Sequence, residues 1–311
     1  MRLFLPAAFL LLTFVHADDS RGTWSKGAEM PTQRSELASA TVDGKVYVVG
    51  GISHRGSLRS FEAYDMANAR WEKLPSLPTK LNHVGTAYCD GKIYVSGGYR
   101  DMYRKKWSDS LYAYDLRSRE WSEVSKLPEA RVKHFMVERD GWLHLFGGLK
   151  TTEVWSWHVR SGKWSRNRIA PMPELRDHIS VVQDTRNIYV VGGRKGKVPQ
   201  ADCWRHDFRT GKWDTFAQLP EATGGHTAVL VGGKIHVLGG EDQRTKEVFS
   251  RYDIYDLSTG RWEMGPSLPT GRHGLVSGCF QGNLCVIGGG KKSHIGTIVS
   301  TSRMVDVLPV N

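Results

Sequence analysis

Cysteine is scarce in this sequence, with four among 311 residues (Cys89, Cys203, Cys279 and Cys285). They are too few and too scattered for a disulfide scaffold, so buried thiols with at most one bridge are expected. The Asn-x-Ser/Thr sequon is absent, which excludes N-glycosylation. Beyond residue 17 no stretch approaches the roughly 20 apolar residues of a membrane-spanning helix, so no transmembrane segment is expected. Acidic residues are the minority, 32 Asp and Glu against 43 Lys and Arg, for a formal net charge of +11. Composition excludes a disordered basic chain, since 40% of residues are hydrophobic and Trp, Tyr and Phe number 11, 11 and 10. The positive excess points to an anionic partner without saying whether it is nucleic acid, lipid, acidic sugar or protein.

The N-terminus narrows that choice. Arg2 precedes an apolar run from Leu3 to Val15, with Val15 and Ala17 ahead of Asp18. This is the pattern of a signal peptide, residues 1–17, cleaved after Ala17, and it predicts a secreted or periplasmic protein. Export argues against nucleic acid as partner. Loss of Arg2 lowers the net charge by one, to +10.

Internal repetition organises the rest, residues 18–311. Diglycines end six hydrophobic runs, at Gly50-Gly51, Gly97-Gly98, Gly147-Gly148, Gly192-Gly193, Gly239-Gly240 and Gly288-Gly289. Trp24, Trp71, Trp121, Trp164, Trp213 and Trp262 form a second register, each followed seven residues later by proline. A ring residue (Tyr64, Tyr114, Trp157, His206, Tyr255) stands seven residues before all but the first Trp. Seven residues before the diglycines, Asp43-Gly44, Asp90-Gly91, Asp140-Gly141, Gly232-Gly233 and Gln281-Gly282 suit two-residue hairpin turns; Thr185-Arg186 departs from them. Each copy therefore reads as a four-stranded antiparallel sheet, and such sheets set radially make a propeller with few free edges.

These marks resemble the kelch repeat, over essentially the whole chain after the signal. The resemblance implies one all-β, six-bladed β-propeller. For function it implies less, since kelch propellers include binding proteins and a few enzymes. After the sixth diglycine only about one strand remains (Ile298 to Leu308), and Trp24 is orphaned at the other end. The N-terminal segment from Trp24 to Met30 is therefore expected to supply the outer strand of the last blade.

Strand direction places the loops after the diglycines on one face, together with the entries to each blade. Those loops hold 13 Lys and Arg against 3 Asp and Glu, whereas the other two sets of turns net only +1 and +3. Arg34, Arg131, Arg176 and Arg272 each lie sixteen residues before a diglycine, at blade entries on that face. They read either as a rim for carboxylate, sulfate or phosphate, or as braces bonding loop carbonyls. Histidines recur thirteen to fifteen residues before the diglycines: His83, His134, His178, His226 and His273. Their register wanders and no His-x-His or carboxylate framework accompanies them, so hydrogen-bonded histidines, with no metal and no cofactor, are expected. The candidate ligand-binding set is the four arginines, His83, His178 and His273, with Arg100, Arg194 and Glu241 from the loops. Tyr99, Met102, Tyr103 and His54 are available to pack against a sugar or a side chain.

The reading that follows is a monomeric, non-catalytic binding protein for an anionic carbohydrate or protein surface. The alternative is an isomerase resembling the N-acetylneuraminate epimerase type of periplasmic kelch protein. There arginines would hold the sugar carboxylate while Glu241 with His273 or His178 moves protons. Galactose oxidase shares a kelch-like fold, but no assembled set of Cys, Tyr and two His for its copper is found here.

Overall fold

The computed structural model describes residues 22–293 and 296–310, so the expected signal lies outside the described residues. The first blade is the antiparallel sheet Ala38–Val42, Lys45–Val49, Phe61–Asp65 and Arg70–Lys73. Four more follow in the same order, from innermost strands Gly85–Cys89, His134–Arg139, Ser180–Gln183 and Thr227–Val231. The sixth contains Val276–Phe280, Asn283–Ile287 and Val305–Pro309. Successive innermost strands adjoin one another, and the sixth returns to the first. The architecture is a six-bladed propeller with almost no helix, Gly296–Val299 being one short turn of it.

The hairpin turns form as their residues dictate. Asp43 and Gly44 both have positive φ (47° and 76°), as do the pairs at 90–91, 140–141, 232–233 and 281–282. At Thr185-Arg186 the turn is made differently. The Asp184 carboxylate accepts the backbone N–H groups of Arg186 and Asn187 at 2.7 and 2.6 Å.

Closure by the N-terminus is as the repeat count requires. Ser25–Lys26 pairs with the last strand, Ser25 opposite Val307 and Lys26 opposite Asp306. Trp24 is thus the Trp of the sixth blade, and its indole N–H reaches the Pro266 carbonyl at 2.8 Å. Trp71, Trp121 and Trp213 make the same bond to Ala28, Pro75 and Ala170, tying each outer strand to the chain leaving the preceding blade. Six apolar clusters fill the wedges, each shared by two neighbouring blades; Met30, fully buried, joins the sixth to the first. All four cysteines are unpaired.

The diglycines are the joints between blades. The second glycine of each donates its N–H to the carbonyl at the entry of the next blade: Gly51 to Leu81, Gly98 to Arg131, Gly148 to Arg176, Gly193 to Thr223, Gly240 to Arg272 and Gly289 to Arg34, at 2.8–3.1 Å. A Cβ on Gly97 would lie 2.2 Å from the Arg131 carbonyl oxygen, and one on Gly239 2.4 Å from that of Arg272. Both glycines also hold positive φ, so no other residue serves there without strain.

Two truncations test the closure. Met30→Ala is expected to cost about 2–5 kcal/mol, and deletion of residues 22–30 more. Both should lower the melting temperature measured by calorimetry, and an unchanged value after the deletion would refute the role of the N-terminal strand.

Candidate functional site

Two residues after each diglycine-bonded carbonyl lies a position that closes the top of the channel. Its occupants are Glu36, His83, Lys133, His178, Gly225 and Gly274, one per blade. Their amides form a complete cycle. Glu36 donates to Gly274 (2.8 Å), Gly274 to Gly225 (2.7 Å), Gly225 to His178 (3.0 Å), His178 to Lys133 (3.3 Å), Lys133 to His83 (3.0 Å) and His83 to Glu36 (3.1 Å). All six have positive φ, between 50° and 68°. Glycine accepts that conformation freely, as in the last two positions; a side chain there costs roughly 1–2 kcal/mol. The strained residues are the four with chemically active side chains, which is the pattern of a functional site.

Above the cycle, in five of the six blades, the residue following the diglycine bridges to the residue preceding the cycle member in the same blade. Arg194 pairs in this way with Asp177, and Glu241 with Gly224. The loops that carry the basic residues therefore sit directly over the cycle, around a cavity of about 220 Å³ lined by Glu36, His83, Lys133, His178, Arg194 and Glu241 among others. The same four cycle side chains line a second cavity of about 150 Å³ inside the innermost strands.

Within the upper cavity charged groups converge. The Arg194 guanidinium pairs with Glu241 and lies 3.8 Å from Asp177. Glu241 also accepts from Ser293 (2.5 Å) and Gln243 (3.0 Å), with His273 Nε2 3.6 Å away. Glu36 sits at the centre, its Oε2 3.2 Å from His83 Nε2 and 3.8 Å from His178 Nε2, its Oε1 3.7 Å from His273 Nε2. Burial drives the titrations. It holds His83 and His178 well below the ordinary imidazole value, lowers Lys133 and raises Asp177 and Glu36. Burial also presses Glu241 upward, but His273 and Arg194 outweigh it and its carboxyl ends below the usual range.

Of the residues singled out in the sequence, the fold brings His83, His178, His273, Arg194 and Glu241 together in this cavity. It does not bring the four-arginine register there, and this corrects the idea of an arginine rim. Arg34, Arg131, Arg176 and Arg272 are at most 1% exposed. They turn back into their own blades, onto the carbonyls of Val48, Leu145, Gly192 and Gly288 respectively. Arg34 also pairs with Glu62 at 2.8 Å, Arg272 with Asp306, and Arg176 lies 3.8 Å over the Trp204 ring. Arg100 is exposed and reaches no closer than 3.5 Å to Ser110, away from the cavity lining. Met102 and Tyr103 line the cavity, Tyr99 is buried edge-on to His83, and His54 is exposed.

Glu36, Lys133 and Asp177 are the site residues that a search by residue type overlooks. The signal is positional. Each cycle member lies fourteen residues before the first glycine of its diglycine; His83 and His178 fall on that register, whereas His134, His226 and His273 lie one residue to either side of it. The missing carboxylate beside His83 and His178 is supplied by Glu36, from another blade.

With the repeat geometry in place, comparison with known proteins agrees with it. The KLHDC2/KLHL20/DRC7 Kelch-repeats domain matches residues 15–148 and 133–302. The chain belongs to the kelch-repeat family. Similar kelch proteins include Kelch-like protein terF of Aspergillus terreus, 29% identical over 253 residues, which are 76% of this chain and 45% of that protein. Kelch-like protein 35 of Mus musculus is 29% identical over 45% of this kelch chain and 25% of its own length. Kelch domain-containing protein 10 of Homo sapiens is 25% identical over 46% and 38%. The matched region thus spans between a quarter and about half the length of these relatives.

The brace role of the arginines has a direct test. Arg272→Met strands the Asp306 carboxylate in the interior and is expected to cost about 3–5 kcal/mol. Adding Asp306→Leu should recover most of that in chemical denaturation, because it is the uncompensated charge that destabilises.

Proposed function

We propose that this kelch propeller is an exported binding protein for a small carboxylated ligand, such as the acidic terminal sugar of a glycan. The ligand enters the loop-face cavity. The observation that carries the reading is the separation of charge on that face. Of the 13 Lys and Arg in the loops after the diglycines, all but Arg194 are exposed at the rim. Lys133 lies at the floor, and among the described residues no carboxylate lies within ion-pair distance of its ammonium. Rim cations draw an anion toward the axis, and Lys133 is placed to receive its carboxylate. A cavity of about 220 Å³ suits one sugar ring rather than a folded partner. Export is supported by the signal pattern of residues 1–17, and mass measurement of the protein recovered outside the cytoplasm should give a chain beginning at Asp18.

One observation favours the isomerase as a second reading. Glu36 and Glu241 share the cavity but are pushed in opposite directions, up and down, as an acid and a base would be. NMR of freshly dissolved N-acetylneuraminic acid separates the two readings, because acceleration of anomer exchange requires catalysis and binding alone leaves it unchanged.

Calorimetric titration with N-acetylneuraminic acid and glucuronic acid tests the binding. Affinity should fall as salt rises and be absent for glucose. Lys133→Gly should weaken it at least about tenfold, the scale of one lost charge-assisted hydrogen bond. The same change relieves the positive φ but also removes a cation from among Glu36, Asp177 and Glu241, so Lys133→Met, which keeps the side chain's bulk without its charge, should weaken binding to the same extent. Absent or salt-independent binding of both acids would overturn the reading.

A further inference from the structure

We propose that Glu36, His83 and His178 form a binding site for one divalent transition-metal ion of the zinc and iron(II) class, on the propeller axis. Three observations carry this. First, the donor atoms converge. Glu36 Oε2 is 3.2 Å from His83 Nε2 and 3.8 Å from His178 Nε2, and the three lie within 4.8 Å of one another. An ion with bonds of about 2.0–2.1 Å sets tetrahedral donors about 3.4 Å apart. Two of the three edges already match that figure to within about 0.4 Å, and the His83–His178 edge is at most 4.8 Å.

Second, both imidazoles are fixed in the tautomer that ligates. The Asn82 amide donates from Nδ2 to Ser57 Oγ at 2.7 Å, which turns its Oδ1 toward His83 Nδ1. The Asp177 carboxylate likewise accepts from His178 Nδ1. Each ring therefore carries its proton on Nδ1 and points a bare Nε2 lone pair at Glu36. A carboxylate or amide behind a histidine is the usual outer partner of a metal-bound imidazole.

Third, Glu36, Asp177 and Glu241 bring three carboxylates into one cavity, which is costly unless cations meet them. Arg194 pairs with Glu241, and His273 Nε2 lies 3.6 Å from Glu241 and 3.7 Å from Glu36, whereas Glu36 Oε2 faces two histidine Nε2 atoms and, among the described residues, makes no ion pair with lysine or arginine. A divalent ion there supplies positive charge and leaves an open coordination position facing the cavity. That makes the floor attractive to a carboxylate, but the metal site stands without any carbohydrate and is measured without one. The three donors also occupy cycle positions with φ of 50°, 54° and 51°, where glycine stands in two other blades.

The experiment uses the full chain, freed of metal by chelator and dialysis. Titration with Zn²⁺ by calorimetry, and with Co²⁺ by visible absorption, should show one ion per chain and the d–d bands of a four- or five-coordinate site. His83→Gly and His178→Gly are chosen because glycine suits the backbone there. Each should weaken uptake at least about 100-fold while the metal-free melting temperature holds. Asp177→Ala, which removes the outer partner of His178 and leaves the three donors in place, should weaken it about 10–100-fold. No uptake by the unaltered protein, or uptake that both glycine variants leave intact, would overturn the proposal. Metal uptake without sugar binding would leave the site standing and sink only the carboxylate reading.

Discussion

The closed cycle of six backbone hydrogen bonds at the mouth of the channel is the constraint on which the site depends. Each link runs from one blade to the next, so the cycle fixes the six entries at a common height. To make it, every entry must turn through the left-handed region, and in four of the six blades that turn carries a side chain to the axis. The diglycine joints impose the complementary condition lower in the wedge, where only a bare backbone can approach the neighbouring carbonyl. Between them these two sets of bonds decide where side chains are allowed at the centre and where they are not.

Charge is sorted by the same geometry. Arginines just before the cycle point back into their own blades and satisfy carbonyls and buried carboxylates, so they add to the net charge without adding to the field at the surface. Lysines and arginines after the diglycines stand at the rim. Of the residues between, Arg194 and Glu241 pair with each other, while Glu36, His83, His178 and Lys133 gather on the axis without pairing off one to one. They form the polar centre of an otherwise apolar ring of wedges, and burial displaces the titrations of Glu36, His83, Lys133 and His178.

The blades, their turns and the N-terminal closure were legible in the sequence because each rests on a local requirement that recurs six times. Asp-Gly marks a turn, a diglycine a joint, and the unpaired Trp24 a strand in need of a partner. The site was legible only in part. Arg194 and Glu241 stand directly after diglycines, and His83 and His178 draw the eye by type. Glu36 and Lys133 share their register, yet glutamate, lysine, two histidines and two glycines fill one position, so nothing in composition signals it. The four arginines show the converse. A strict register was present, and it reported a structural bond to the backbone rather than a ligand, because recurrence across blades reflects what every blade needs, whereas a site on the axis draws a different residue from each.

The clasp of the last blade bears on the order in which the molecule assembles. The Ser25 hydroxyl meets the Val307 carbonyl across 282 residues of chain. Closing a loop of that length costs about 5 kcal/mol of chain entropy beyond the length-independent part, and it must be met before the last wedge exists. Five blades can therefore form as the polypeptide emerges, while the cycle at the axis, with its polar centre, is completed only after the final strand is free. The chemistry of the channel mouth is thus the last feature to mature, and a chain interrupted just before Val305 lacks both the closing wedge and the site it holds.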